Sequence, residues 1–419
     1  MVVKITSKKA KIVELVFLSI LILFIIISCF KPIQAGEGKI GIKALPLDIG
    51  DRKFYIEDEE PFANRNIDGF GGPLYPNVLK GISFISIKLF KQDSISYFWN
   101  TLAITFSSIL SFLNIRLAYG AGKLFCDEST GIMTMAFFTI CPYTYFYALS
   151  AGITIYTLFG ATLATYLILK IFKKNDKFNN PKNKLILHIF LSLVLIYMSY
   201  LRPSSIIFCE IVSGLIILLQ IKNLLLNNQK KYSAFIIFIF IVPLIIGINE
   251  FWETKFYSIK ALDAFSKEQG TFLGYERDLI RNKIEVLMQS SKLVNNIEGL
   301  TYNFLWKIND FLSGIIDIRD THNPAETSLL SFLIRVSVGT FLLGPTTYIF
   351  LVGLFVFRKI ILNSGLWVSL TACIISISPS LIGVAMSRYY YMFITPFILV
   401  AAMTISKIYK SKILMHHDS

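Results

Sequence analysis

The sequence predicts an all-α polytopic membrane protein with about ten transmembrane helices. Of its 419 residues, 54% are hydrophobic and 16% are charged, whereas soluble domains carry about 25% charged residues. The mean hydropathy of +0.61 points the same way. These values exclude an ordinary soluble domain, a disordered chain and a disulfide-stabilised scaffold.

The net charge of +14 is explained by a membrane location rather than by nucleic acid. Lys and Arg concentrate in the cytoplasmic loops of membrane proteins, so no nucleic-acid partner is expected. The five cysteines and four histidines show neither paired nor metal-type spacing. The sequence therefore predicts no metal site built from them.

Ten apolar runs define the predicted spans. The first, 12–30, follows Lys4, Lys8, Lys9 and Lys11, and its length favours an uncleaved signal anchor over a signal peptide. The other runs lie at 97–119, 131–147, 152–171, 185–201, 203–221, 233–250, 333–357, 362–383 and 389–406.

The turns between these runs alternate in charge. With a cytoplasmic N-terminus, the cytoplasmic segments carry about half of the 41 Lys and Arg residues, and the short outer turns carry only Arg202 and Arg388. This distribution satisfies the positive-inside rule at every turn. We therefore expect both termini in the cytoplasm, including the tail 407–419.

Two long segments are left on the outer face, 31–96 and 251–328. Within the first, residues 77–90 are too short for a crossing and include Lys80 and Lys88, so we expect a helix lying at the membrane interface. No Gly/Ser-rich linker separates the outer segments from the spans. Residues 1–406 are therefore predicted to form a single transmembrane domain.

The first outer segment is rich in acidic residues. Asp48 and Asp51 precede Tyr55, and a group of three acids follows at 58–60. A solvated run of charge is the simplest interpretation, although the group of three could also bind a divalent cation. The order of elements favours a functional loop, because Asp51 and Tyr55 follow the first span and a Pro-Leu-Tyr-Pro element at 73–76 directly precedes the interfacial helix.

With these elements the sequence resembles the GT-C superfamily of lipid-phosphosugar-dependent glycosyltransferases, in particular the bacterial relatives of protein mannosyltransferases and aminoarabinose transferases. Asp51, Tyr55 and the stretch Gly72-Pro73-Leu74-Tyr75-Pro76 hold the places of the family's first-loop motifs. Tyr200-Leu201-Arg202-Pro203 is similar to its Leu-x-Arg-Pro element, and Ser387-Arg388-Tyr389-Tyr390 to its late Arg-Tyr element. The resemblance covers most of residues 12–406. It departs from the family at 150–156, where this sequence has no carboxylate in the outer turn.

The resemblance implies an enzyme, a membrane-embedded hexosyl- or pentosyltransferase. Its donor would be a sugar on a polyprenyl-phosphate carrier, and its acceptor a glycan, a lipid or a protein. Asp51 would accept the acceptor proton, with Asp48 as the alternative base and Tyr55 orienting it. The active site would lie on the outer face of the plasma (inner) membrane, and no cofactor is assigned.

The residue types suit this chemistry. Sugar transfer needs a carboxylate that deprotonates the acceptor and cations that stabilise the departing phosphate. Arg202 and Arg388 stand at the outer ends of spans, where a guanidinium can bind a lipid-borne phosphate. Arg335 is a third candidate, because a charge embedded in apolar sequence is costly. Interfacial anchoring is the alternative for Arg202 and Arg388, and the alternative for Arg335 is that it marks the true start of its span.

Tyr75 and Lys80 complete the predicted site. Both lie on or beside the interfacial helix, where they would contact the acceptor or anionic lipid head groups. Membrane lipid is therefore an expected partner.

Two other functional classes remain open. A transporter of lipid-linked glycans would also use ten spans, but it predicts short outer loops and two related halves. A polysaccharide polymerase or ligase would share the lipid-linked donor and rely on basic residues in a late outer loop. The acidic first loop favours the transferase over both.

We expect cysteine labelling to place Asp176 on the cytoplasmic face, and Glu60 and Ser290 on the outer face, because basic and non-basic turns alternate. Single cysteines at the three positions, in a cysteine-free background, would be treated with a membrane-impermeant maleimide in intact cells. Labelling of Glu60→Cys and Ser290→Cys on opposite faces would contradict both the ten-span topology and a shared outer site.

Overall fold

The structure is a computed structural model and describes residues 3, 5, 7–35, 38–44, 74–91, 97–173, 181–201, 203–226, 230–253, 342, 344–382 and 391–417. Helices and one short hairpin make up most of this part of the chain. The all-α fold class is therefore confirmed, with the hairpin as the only strand pair among the described residues.

The helices are bounded as follows. The first seven are α1 (Lys8–Phe30), α2 (Leu74–Phe90), α3 (Tyr97–Phe125), α4 (Glu128–Ile140), α5 (Pro142–Ser150), α6 (Ile153–Phe172) and α7 (Pro181–Ser199). The remainder are α8 (Pro203–Leu226), α9 (Lys230–Glu253), α10 (Gly344–Val356), α11 (Arg358–Ser364), α12 (Leu366–Ile382) and α13 (Thr395–His417). Strands β1 (Ile33–Ala35) and β2 (Gly38–Ile40) pair antiparallel after α1.

Six of the described helices are long and apolar enough to cross a membrane, namely α1, α3, α6, α7, α8 and α9. The pairs α4–α5 and α10–α11 are bent by 60° and 86°, and the total rises to eight if each pair is one span. A polytopic architecture is confirmed, and the count of ten and the two termini stay predictions. The helix predicted at 77–90 is present as α2, which begins three residues earlier.

Pro142 causes the bend between α4 and α5. A proline has no N–H to donate to the carbonyl four residues before it, which here is Phe138. The Thr144 hydroxyl donates to that carbonyl instead, at 2.7 Å. The Tyr145 hydroxyl donates to the next carbonyl, that of Thr139, at 2.6 Å. The break therefore leaves neither carbonyl unsatisfied.

Pro243 lies inside α9 and likewise has no N–H to donate to the carbonyl four residues before it. Its missing donor frees the carbonyl of Ile239, and the hydroxyl of Ser192 on α7 donates to this carbonyl at 3.1 Å. Within the hydrocarbon region an unsatisfied carbonyl is costly, and a hydroxyl from a neighbouring helix is one way to satisfy it. The same bond joins α7 to α9.

Helix α6 lies at the centre of the bundle. In the segment that would cross the membrane, 72% of its residues are buried, against 22% for α1 and 28% for α9. Small residues such as Gly160 and Ala161 let neighbouring backbones approach. Two hydroxyl pairs then connect α6 to other helices, Thr162 with Thr395 at 2.7 Å and Thr165 with Ser369 at 2.6 Å.

Two glycines allow α3 and α4 to pack closely. A Cβ added at Gly122 would lie 2.6 Å from the Cα of Gly131, and one added at Gly131 would lie 2.7 Å from the carbonyl oxygen of Tyr119. Both are below any normal contact, so the crossing requires glycine at these two positions.

The bundle has two distinct ends. The hairpin end comprises the C-terminus of α1, the hairpin, the starts of α2 and α3, and the turn at 200–201. The lysine end comprises the starts of α1, α7 and α9, the C-termini of α3, α6 and α8, helix α11 and the last part of α13. An ion pair crosses the lysine end, from Arg116 on α3 to Glu14 on α1. The charge pattern of the sequence predicts that this end is cytoplasmic.

Asp127 connects three segments at the lysine end. Its carboxylate accepts from the backbone N–H of Thr130 and so caps α4, and it also accepts from the ammonium of Lys410 on α13. Partial burial by itself would raise the pKa of this carboxyl, but the hydrogen bonds from Lys410 and Thr130 outweigh that effect and lower the pKa. Asp127 therefore stays ionised and holds the end of α13 against the α3–α4 turn.

We expect Ser192→Ala to lower the free energy of unfolding by about 1 kcal/mol, because it leaves the Ile239 carbonyl without a donor. In a Pro243→Ala background the same change should cost close to nothing, since the alanine introduced there supplies the missing N–H. Thermal unfolding of the four purified proteins measures this coupling as a double-mutant cycle. An equal loss of unfolding free energy in both backgrounds would show that the Ser192 hydroxyl does not compensate for the N–H that Pro243 lacks.

Candidate functional site

The predicted catalytic and phosphate-binding residues lie outside the described part of the chain. This holds for Asp48, Asp51, Tyr55, Arg202, Arg335 and Arg388, and for the three acids at 58–60. Tyr75 and Lys80 lie on α2, where the backbone is described and the side chains are not. The described residues next to these positions show how the motifs are arranged.

Two of the motif segments are joined by a backbone hydrogen bond. The N–H of Leu74, within the Pro-Leu-Tyr-Pro element, donates to the carbonyl of Tyr200 at 3.0 Å. Tyr200 begins the Tyr-Leu-Arg-Pro element, and its neighbour Leu201 is fully buried. The first outer segment and the α7–α8 turn therefore meet at the hairpin end, although more than 120 residues separate them in sequence.

The third motif leads into the same region. Phe393 follows Arg388 by five residues and stacks on Phe208, which follows Arg202 by six, with ring centroids 5.6 Å apart. The segments that continue from the two motif arginines are thus in contact a few residues after each arginine. Tyr391 is fully buried beside them and bonds to the Thr144 hydroxyl at the α4–α5 break.

Because the Thr144 hydroxyl donates to Phe138, its hydrogen bond with Tyr391 must have the tyrosine as donor. The rings of Tyr143 and Tyr147 pack against Tyr391 as well, at centroid distances of 5.9 Å and 5.3 Å. The backbone at 391, three residues after Arg388, is therefore fixed from two sides.

Asn100 fixes the chain that leads into the acidic loop. Its side-chain amide, on the first turn of α3, donates to the carbonyls of Gly41, Ala44 and Ile42 at 2.7, 2.9 and 3.3 Å. Asn100 is fully buried, so these bonds form away from water, where each is strengthened. Asp48 follows Ala44 by only four residues.

Ser28, at the C-terminal end of α1, holds the other side of this turn. The N–H groups of Lys43 and Ile42 donate to the carbonyl and the hydroxyl of Ser28 at 3.0 and 3.3 Å. Gly41 has a φ of +104°, and a Cβ there would lie 2.5 Å from the Cβ of Ser28. A residue with a side chain would therefore separate the turn from α1.

Sequence reasoning did not identify Asn100 or Ser28 as site residues. The available signal was a polar amide within an apolar run that starts at 97, because buried polar groups in such runs are retained only when they are bonded. What the amide binds could not be read from the sequence, since its partners are carbonyls, which every residue has.

The described residues contain no group of three or more His, Cys, Asp and Glu side chains that could hold a metal ion. Positive charge is present at this end, with the Lys43 ammonium 4.8 Å from the centroid of the Tyr97 ring. The described residues of the hairpin end therefore hold the segments that lead to the acidic loop and to the two motif arginines.

Comparison with known proteins identifies the fold. No protein-family model matches the chain, and no curated protein matches it by sequence. Among solved structures it is similar to the oligosaccharyltransferase of Archaeoglobus fulgidus in complex with zinc and sulfate, with a TM-score of 0.54 and 12% identity. That match covers 96% of this chain and 49% of the other.

The apo form of the same enzyme gives a TM-score of 0.52 at 13% identity, covering 98% of this chain and 52% of the other. At such identities the likeness shows the fold alone, and this chain spans about half the length of those structures. The chain therefore shares the fold of this oligosaccharyltransferase, which is consistent with the resemblance that the motifs indicate.

We expect Asn100→Ala to lower the free energy of unfolding by about 1–3 kcal/mol, because it leaves buried carbonyls without donors. Asn100→Asp should lower the free energy of unfolding further, because it places a negatively charged carboxylate next to the same carbonyl oxygens. Thr101→Ala is the matched control, as the Thr101 hydroxyl donates only to Tyr97 in its own helix, and it should stay within about 0.5 kcal/mol of wild type. Thermal unfolding checks all three, and equal stability of Asn100→Ala and Thr101→Ala would remove Asn100 from this role.

Proposed function

We propose that this protein is a membrane glycosyltransferase that moves a sugar from a polyprenyl-phosphate carrier to an acceptor on the extracytoplasmic face. The observation that carries the proposal is the meeting of the motif segments at the hairpin end, through the Leu74–Tyr200 hydrogen bond and the Phe208–Phe393 contact. A fold shared with a glycosyltransferase supports the same class, although the activity itself has to be argued from the site.

Asp51 is the proposed base. Attack of an acceptor hydroxyl on the anomeric carbon requires removal of its proton, and a carboxylate can accept it. Asn100 holds the carbonyls of Gly41, Ile42 and Ala44, so the chain reaches Asp48 and Asp51 from a fixed starting point. Asp48 is the alternative base, and Tyr55 would orient the carboxylate.

Arg202 and Arg388 are the proposed phosphate ligands. When the bond between the anomeric carbon and the phosphate oxygen breaks, negative charge grows on the phosphate that leaves with the carrier. A guanidinium stabilises this charge with paired hydrogen bonds. The contact between the following segments, at Phe208 and Phe393, supports two arginines acting on one phosphate. Arg335 stays a third candidate.

Tyr75 and Lys80 would face the acceptor or lipid head groups. Both lie in the first two turns of α2, which begins at the residue that bonds to Tyr200. The acceptor can be a glycan, a lipid or a protein, and the sugar a hexose or a pentose. The protein would act as one transmembrane domain over residues 1–406 in the plasma (inner) membrane.

We expect Asp51→Asn to reduce sugar transfer by about 10²–10⁴-fold, because the amide cannot accept the proton. Purified protein in lipid would receive a polyprenyl-phosphate sugar, and release of the polyprenyl phosphate would be measured together with thermal unfolding. Stability should stay near that of wild type, as Asn keeps the size of Asp.

Asp48→Asn serves as the matched control and should be the milder change. An inactive Asp48→Asn beside a fully active Asp51→Asn would move the base by three residues. Full activity of both variants would contradict a carboxylate base in this loop. A wild-type protein that moves the intact lipid-linked sugar across the bilayer without releasing the carrier would favour the transporter.

A further inference from the structure

A cavity of about 470 Å³ lies at the lysine end, between the ends of α6, α7, α8 and α9. This volume falls in the usual range of small-molecule sites, about 300–1,000 Å³. The cavity is remote from the motif segments. Along α7, the lining residue His188 precedes Tyr200 by twelve residues, which corresponds to about 18 Å of helix.

The lining is divided by polarity. One part is apolar and buried, with Ile168, Ile216 and Ile236 contributing from three different helices. The other part carries Lys184, Lys222, Gln220, Asn223, Tyr232 and Ser233. The cavity thus combines hydrogen-bond donors and positive charge with an adjoining apolar wall.

The charge of the cavity is positive. Lys184 and Lys222 both line it, and neither forms an ion pair with another residue that the structure describes. Among the described lining residues there is no Asp or Glu. His188 donates its Nδ1–H to the Lys184 carbonyl at 2.7 Å and packs its ring edge-on against Phe240, so this wall is held in place.

Exposed apolar residues lie on the outer faces of the helices that form the cavity. Ile186, Ile221 and Phe235 are 49%, 41% and 48% exposed, and each is next or next but one in sequence to a lining residue on its own helix. On a membrane-spanning bundle these side chains face acyl chains. The cavity therefore lies among helices whose outer faces contact lipid.

We propose that this cavity binds the phosphate head group of an anionic phospholipid, with Lys184 and Lys222 as the cationic ligands. Basic pockets between transmembrane helices are suited to such head groups. The amides and hydroxyls would complete the coordination of the phosphate oxygens, while the glycerol and the first acyl carbons would contact the isoleucine wall. A free phosphate would leave that wall without a partner.

The site has a structural consequence for the rest of the bundle. α6 is the central helix, and α8 begins at the Tyr-Leu-Arg-Pro element. A lipid that holds the far ends of α6, α7, α8 and α9 together would stabilise the helix that follows Arg202. The lipid site itself does not rest on the proposed activity, because its binding can be measured without any sugar transfer.

Native mass spectrometry of the full-length protein in detergent tests the proposal, with phosphatidylglycerol and phosphatidylcholine of matched acyl chains as probes. The variant Lys184→Gln/Lys222→Gln should bind phosphatidylglycerol at least about tenfold more weakly than wild type, since two charge-assisted hydrogen bonds are lost. Binding of phosphatidylcholine should not change.

Lys231→Gln/Lys359→Gln is the matched control. It removes the same charge from exposed residues at the lysine end that do not line the cavity, and it should bind phosphatidylglycerol as wild type does. Equal weakening in both double variants would mean diffuse surface attraction and would overturn the site, as would unchanged binding in the cavity variant.

Two further experiments distinguish a lipid head group from free phosphate and control for misfolding of the variants. Inorganic phosphate should fail to displace phosphatidylglycerol when compared with chloride at equal ionic strength, and full displacement would overturn the lipid assignment. Ser233→Phe keeps both lysines but fills the cavity, so it should also weaken binding at an unchanged melting temperature. Wild-type binding by a folded Ser233→Phe would place the lipid elsewhere and overturn the proposal.

Discussion

The constraint on which the whole structure depends is that backbone polar groups within a bilayer must be bonded inside the protein. The long helices satisfy it within themselves. At Pro142 and Pro243 hydroxyls satisfy it, from Thr144 to Phe138 and from Ser192 to Ile239. In both cases the freed carbonyl lies four residues before the proline, and a side chain replaces the donor that the proline lacks. Contacts within the bundle therefore satisfy the backbone at both prolines.

The same constraint explains why the candidate site lies at one end. Irregular backbone at the hairpin end needs donors, and Asn100 supplies them to three carbonyls while Ser28 bonds to the other side of the turn. The Leu74–Tyr200 bond satisfies a further pair of groups and joins two motif segments. The hydrogen bonds that satisfy these backbone groups therefore also position the motif segments.

The charged groups at the two ends of the bundle have different partners. At the lysine end, Asp127 and Glu14 bind cations from other helices, whereas Lys184 and Lys222 face a cavity without acidic residues among those described. At the hairpin end, the proposed arginines would meet a lipid-borne phosphate of the donor. The two faces would therefore bind lipid phosphate in different roles, one in the reaction and one in holding the helices together.

The sequence by itself determined the class of the fold, because apolar runs near 20 residues and a low charged fraction leave no soluble alternative. It also predicted the helix at 77–90 and the helices around the 170–184 turn, since hydropathy and charge are local properties of the chain. The bend before α11 coincides with the end of the apolar run 333–357, where two basic residues follow. The break at Pro142 was not predicted, because the run 131–147 is continuous in hydropathy. Whether a helix ends at a proline, as at Pro142, or continues through it, as α9 does at Pro243, depends on the packing around it.

Contacts between distant residues were decided only by the tertiary structure. The motif resemblance named Leu74, Tyr200 and the late Arg-Tyr element, but only the tertiary structure shows that Leu74 bonds to Tyr200 and that Phe208 stacks on Phe393. Neither the hydrogen-bond partners of Asn100 nor the cavity between α6 and α9 could be predicted from the sequence. Every residue has a backbone carbonyl, and the position of a cavity depends on how the helices pack. Local polarity fixes which segments cross the membrane, and only three-dimensional packing fixes which of their ends come together.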